Sequence, residues 1–293
     1  MAEATLDEAT PGTGTGGRAR SLRRLLRDVN AVVGGGLVLA FLIVALLAPW
    51  ISPHDPVQND LANSMRPPGG EHLLGTDNLG RDILSRIIHG ARISMLVGLI
   101  AVGVALAIGI PVGLAAGYLG GRFDTIAMRC IDILLAFPDL LLAILIMSIL
   151  GPNLGNAMIA VGIASVPIYA RLLRSSVLSV REEEFVEAAR AAGVGHLRIM
   201  FRHILPNCLS PLIVQSTLRI GSAILTAATL SFLGLGAQPP TPEWGAMVSG
   251  GRDFLVSAPH LSLFPGLAIL LCVLGFNLFG DALNDYLNPR LKA

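Results

Sequence analysis

Six stretches of this chain, about residues 32–52, 93–118, 126–149, 155–175, 208–233 and 262–282, are each long and apolar enough to cross a lipid bilayer. Roughly 20 apolar residues suffice for a helix to traverse the hydrocarbon. Inside lipid every backbone N–H and C=O must find a partner within the protein, and a helix satisfies them locally. The fold class follows: all-α, a polytopic transmembrane helical bundle with about six spans. Composition agrees. Of the residues, 53% are hydrophobic and 14% charged, with a mean hydropathy of +0.68, too apolar for a water-soluble domain.

Basic residues near the span ends set the orientation. Arg18, Arg20, Arg23, Arg24 and Arg27 precede the first span. Arg171, Arg174, Arg181, Arg190, Arg198 and Arg202 fall between the fourth and fifth, and Arg290 and Lys292 follow the last. Six spans place all three groups on one side, assigned to the cytoplasm. Arg66, Arg81, Arg86 and Arg92 fall on the opposite side, mixed with Asp60, Glu71, Asp77 and Asp82. A stretch of that length translocates despite its charge. The chain divides into a cytoplasmic tail (1–30), a first helix with an external segment (31–92), the main transmembrane domain (93–286) and a cytoplasmic C-terminal tail (287–293). Residues 1–20, rich in Ala, Thr and Gly, read as disordered. The first span has no convincing small-residue cleavage site and reads as an uncleaved anchor, with Arg23 and Arg24 as juxtamembrane charge.

Several chemistries are excluded. The net charge of +1, with basic residues spread along one membrane face, does not point to nucleic acid. Lys292 is the single lysine, so no glycine-rich phosphate loop carries the lysine it needs. Gly12, Gly14 and Gly17 match G-x-G-x-x-G but follow no strand. No G-x-S-x-G nucleophile turn and no H-E-x-x-H occurs. Cys130, Cys208 and Cys272 lack metal-ligand spacing and read as small apolar packing residues. His54, His72, His89, His196, His203 and His260 are scattered, so no metal site is expected. The expectation is a chain that is not an enzyme and holds no cofactor of its own.

One polar stretch, 179–207, interrupts the apolar runs with a pattern of its own. Ser179 and Glu182 are spaced as a capping box that would open a helix. Phe185, Ala188, Ala189 and Ala192 then share a small apolar face. Glu183, Glu187 and Arg190 fall on polar faces. Gly193 suits a helix stop, because glycine takes positive φ cheaply. Leu197, Phe201 and Ile204 predict a second short helix with Arg198 and Arg202 on another face, closed by Pro206. Two short helices hinged at a glycine make a compact knob, suited to docking a partner on one side of the membrane.

The run Glu187-Ala188-Ala189, followed by Gly193 and by Leu205-Pro206, resembles the EAA motif of bacterial ABC importer permeases. The likeness extends over about residues 32–291. Gly75-Thr-Asp77-Asn-Leu-Gly80-Arg81-Asp82, Leu230-Ser-Phe-Leu-Gly234-Leu-Gly236, Pro239-Pro240-Thr-Pro242-Glu243-Trp244-Gly245, Phe264-Pro265-Gly266, Asn277-Leu-Phe-Gly280-Asp281, Asp285 and Pro289 continue it. The whole is similar to the C-type permease of dipeptide and oligopeptide importers, with 237–245 leaning toward the dipeptide branch. Nickel and glutathione importers share much of the pattern. The resemblance implies a multi-pass protein of the bacterial inner membrane whose 179–207 loop is a cytoplasmic coupling helix seated in an ATPase cleft. Glu187, Ala188, Ala189, Gly193, Arg198, Arg202, Leu205 and Pro206 would carry that coupling. It implies a second homologous permease, two ATP-binding subunits that hold ATP and Mg, an extracytoplasmic substrate-binding protein and a peptide substrate. Arg219, and Thr226-Ala227 where many relatives place an acidic residue, depart from the family pattern and would make the local pathway more positive.

Charges inside spans are functional candidates because they are costly there. Asp139 follows Pro138, which can bend its helix and open carbonyls to a cavity. Two readings stand: Asp139 lines the path and meets a peptide amino group, or it is capped by a neighbouring helix. Arg219 either meets a substrate carboxylate or packs on a polar group of another helix. Arg129 and Asp132, three apart, are expected to pair. Gly109, Gly113, Gly117 and Gly121 repeat every four residues as a close-packing face. Pro111 and Pro167 are candidate kinks. The alternative to an ATP-driven importer is an ion-coupled secondary transporter, which also uses broken helices and midplane charges.

Overall fold

The computed structural model describes residues 28–287. The arginines of the N-terminal tail, the glycine triplet, Pro289, Arg290 and Lys292 lie outside the described residues. Asp28 accepts a 2.9 Å hydrogen bond from the Asn30 amide and opens α1, Val29–Ile51. Asp82 likewise caps α2, Ile83–Leu119, through the Ser85 amide. The helices α3, Gly121–Leu135, and α4, Asp139–Leu150, follow. The helix α5, Leu154–Val180, starts on an Asn153 cap. Then come α6, Glu184–Ala191, α7, Leu209–Phe232, α8, Trp244–Gly251, and α9, His260–Leu287. Among the described residues there is no strand, only two isolated bridges.

Two expectations about the spans change. The stretch 126–149 is not one helix: α3 and α4 meet at 94° across Ala136, Phe137 and Pro138. Proline has no N–H to donate and keeps the residue before it out of helical geometry. Five helical stretches, and a sixth if the bent pair is one span, are long and apolar enough to cross a membrane. Residues 83–92, grouped from the sequence with the external segment that ends at 92, are the first turns of α2. With 37 residues α2 is about 55 Å long, well beyond the roughly 30 Å of hydrocarbon. Its first turns bury Ser85 and Arg86 in protein, so hydropathy overlooked them.

The central packing is α2 against α5, running parallel. A Cβ at Gly109 would lie 2.7 Å from the Tyr169 Cβ, one at Gly113 2.5 Å from the Ala170 carbonyl, and one at Gly117 2.8 Å from the Val177 Cβ. Three members of the expected glycine face thus let the two backbones touch. Gly121 does not: it opens α3 with nothing near it. Pro111 and Pro167 lie inside unbroken helices, so neither ends a span. The helix α9 closes the bundle, with Gly275 against α1 and Gly280 against Leu218 of α7.

Opposite the 181–208 knob, the segments 52–82 and 233–259 interlock into a lobe. Trp244 is fully buried there, donates to the Ile87 carbonyl at 3.1 Å and meets the Phe41 ring edge-on at 5.7 Å. Arg86 donates to the Pro56 and Pro240 carbonyls at 2.7 and 3.3 Å, and Arg81 pairs with Asp77 at 2.7 Å.

Candidate functional site

The knob begins where α5 ends. Ser179 lies in the last turn of α5, and α6 opens at Glu183 with no side-chain cap, so the expected capping box does not form. Leu173 and Val177 carry α5 onward because they pack on the glycine face of α2. That burial outweighs a cap worth about 1 kcal/mol.

In α6 the inward residues are Val186 and Ala189. Phe185, Glu187, Ala188 and Ala192 point outward. The apolar face expected from Phe185, Ala188, Ala189 and Ala192 is therefore mostly solvent-facing, with Ala189 at its edge turned in. The helix ends in a Schellman motif: the Gly193 amide donates to the Arg190 carbonyl at 2.9 Å and the Val194 amide to the Ala189 carbonyl at 3.1 Å. Gly193 has φ +73°, as its sequence context predicted.

The second limb differs from the expected helix. A single turn, His196–Arg198, passes into a π-helical stretch, Ile199–Ile204, and a 3-10 turn, Leu205–Cys208. The wider turn puts Ile199 and Ile204 on the same inward side, both fully buried. Leu197 and Phe201 face out, at 71% and 55% exposure. Ile204 thus leaves the face it was grouped with. Arg198, Arg202 and Pro206 are exposed and Leu205 is half-buried.

The knob presents two surfaces. Outward lie Phe185, Ala188, Ala192, Leu197 and Phe201, with Glu187, Arg190, Arg198 and Arg202 around them. Inward, Val186, Ala189, Ile199, Met200, Ile204 and Cys208 form one core with Leu114 and Tyr118 of α2, Leu173 and Val177 of α5 and Leu212 of α7. The outer face is therefore joined to three long helices through close-packed side chains. Polar ties add to this. The Tyr118 hydroxyl lies 2.9 Å from His196 Nδ1, the Arg190 guanidinium sits 5.4 Å over the Tyr118 ring, and Arg181 donates to the Gly117 carbonyl at 2.9 Å. Tyr118, Arg181 and His196 were not among the residues expected to carry the coupling. Tyr118 and His196 stand 78 positions apart, and no local pattern links them.

Ion pairs anchor the bent pair α3–α4. Arg174 clasps Asp124 through two bonds of 2.5 and 2.6 Å. Asp132 pairs with Arg171 of α5 at 2.5 Å and not with Arg129. Being on one helix face did not decide the partner; the approach of α5 did. Asp139 and Arg219 come together at 2.8 Å, joining the first residue of α4 to α7. Of the two readings for each, the structure shows the partner on another helix. The Asp139 carboxylate therefore faces the Arg219 charge directly. Asp139 stays 42% exposed and Arg219 19%.

Residues 109–293 match the model of the binding-protein-dependent transport system inner membrane component, and residues 18–68 match that of the N-terminal transmembrane domain of oligopeptide transport permease C. The chain is similar to the dipeptide transport system permease protein DppC of Alkalihalophilus pseudofirmus, with 50% identity over 93% of this chain and 90% of that one. It is 52% identical to the di/tripeptide transport system permease protein DppC of Pseudomonas aeruginosa, over 88% of each chain. It is 47% identical to the glutathione transport system permease protein GsiD of Pectobacterium atrosepticum, over 92% of this chain and 90% of that one. Among solved structures, a chain of the inward-facing MetNI methionine ABC transporter superposes with a TM-score of 0.57 at 16% identity, covering 70% of this chain and 98% of that one. That likeness is one of fold.

Proposed function

Because the chain belongs to the family of binding-protein-dependent transport system inner membrane components, we propose that it is the C-type permease half of an ATP-driven importer of dipeptides or short oligopeptides. It is a transport subunit and not an enzyme. The names of the relatives support a peptide cargo, and glutathione, itself a short peptide, falls in the same class. The partners are a second homologous permease, two ATP-binding subunits that hold ATP and Mg, and an extracytoplasmic substrate-binding protein, with lipid around the spans. In this reading both termini and the knob are cytoplasmic and the 52–82 and 233–259 lobe is external.

The observation that carries the coupling role is the two-sided knob. Its outer face, with Phe185, Ala188 and Phe201 exposed, matches what an ATPase cleft would grip. Its inner face is continuous with α2, α5 and α7. Closure of the ATPase pair would pull on Glu187, Ala188, Ala189, Arg198 and Arg202, with Gly193, Leu205 and Pro206 shaping the lever. Asp139 and Arg219 form a polar clasp beside the pathway and leave the Asp139 carboxylate partly open to a peptide amino group. Purification of the tagged chain from native membranes in mild detergent tests the assembly. Recovery of two ATP-binding subunits and a second permease is expected. Recovery of this chain alone, with uptake that follows a proton or sodium gradient, would overturn the reading in favour of secondary transport.

A further inference from the structure

At the end of the bundle opposite the knob, three side chains from separate stretches converge: His54 just after α1, His72 in the following loop and Asp82 at the cap of α2. Their ligand atoms all lie within 4.8 Å of one another. His72 Nδ1 is 2.9 Å from one Asp82 oxygen and His54 Nδ1 is 3.8 Å from the other. The two imidazole rings lie 4.8 Å apart, tilted by 37°. Zinc holds imidazole nitrogen and carboxylate oxygen at about 2.0–2.2 Å, which sets tetrahedral ligand atoms roughly 3.3 Å apart. The two histidine–carboxylate spacings, each to a different Asp82 oxygen, fall on either side of that value. We propose that His54, His72 and Asp82 form a binding site for a divalent transition-metal ion of the zinc class.

The surroundings are those of a held ligand set. One Asp82 oxygen accepts from the Ser85 amide at 2.8 Å and the Ser85 hydroxyl at 2.6 Å, which fixes the carboxylate. The His54 amide donates to the Ser85 hydroxyl at 3.0 Å, and Ser52 donates to the His54 carbonyl at 2.7 Å. The His72 amide donates to the Gly69 carbonyl at 3.1 Å and its carbonyl accepts from the Gly69 amide at 3.0 Å, so both histidine backbones are placed before any ion arrives. Two imidazoles and one carboxylate favour zinc, copper or nickel over magnesium or calcium, which prefer oxygen. The His54 side chain is 39% exposed, leaving a fourth position open to water or to a ligand from a partner. An ion here would staple the end of α1 to the start of α2 and stiffen the lobe between them. The histidines read as scattered in sequence because the fold, and no short spacing motif, brings them together.

The test uses the tag-free full chain in detergent, stripped with chelator. Zinc is titrated in competition with a chromophoric chelator, and thermal unfolding is followed in parallel. One zinc per chain and a rise of several degrees in the unfolding midpoint are expected. His54→Ala and His72→Ala should each weaken binding at least tenfold, His203→Ala at the opposite end should not, and magnesium and calcium should give no shift. Since His54 is exposed, His54→Ala carries the test if His72→Ala does not fold. Absence of saturable zinc binding, or one zinc retained by both histidine variants, would overturn the proposal.

Discussion

Gly193 sits at φ +73° in the turn between the two limbs of the knob. No atom crowds the place a Cβ would take, so a substitution acts through backbone strain alone. Gly193→Val should cost about 1–2 kcal/mol at that turn. The chain should still insert and purify, while transport and retention of the ATP-binding subunits fall; quantitative co-purification checks it. At Asp139 and Arg219 the issue is charge. Removing either leaves a partly buried ion without its partner. Arg219→Met or Asp139→Asn should each lower stability by about 1 kcal/mol, a value held down by solvent access to Asp139. The double variant should lose less than the sum, which a double-mutant cycle on thermal unfolding reads directly. Both residues were legible one at a time, because a charge in an apolar run announces itself. Their pairing was not, since the two lie 80 positions apart.

The glycine face of α2 was legible by its four-residue period, and its partner α5 was not. Gly113→Leu should drive a side chain into the Ala170 carbonyl and destabilise by about 1–3 kcal/mol. Gly103→Leu, on the same helix with open space around it, should be tolerated. The unfolding midpoints of the two variants in one detergent decide it. The ends of α2 and α5 escaped hydropathy for a shared reason. Each helix outruns its apolar stretch because polar residues are buried by protein, as at Arg86, or because packing holds the last turns, as at Val177. The 199–204 π turn was equally hidden. Its widened period moves Ile204 to the opposite side from Phe201, and burial in the core shared with α2, α5 and α7 rewards that choice.

Across the molecule, one core gathers the knob and another the opposite lobe. Trp244 anchors the second. Trp244→Ala should cost about 3–5 kcal/mol, opening 52–82 and 233–259 to limited proteolysis while the 181–208 knob keeps its protection. Such a pattern would show that the two ends stabilise separately. The sequence by itself determined the helical class, most of the apolar stretches able to cross a membrane, the glycine stop at 193 and the candidacy of the 179–207 loop. Those properties depend on local backbone needs and on runs of apolar residues, which lipid makes unambiguous. Only the tertiary structure decided the inward and outward faces of the knob, the pairing of Asp139 with Arg219 and the meeting of His54, His72 and Asp82. Each of these depends on which distant segment arrives alongside, and burial against that segment overrides the local preference.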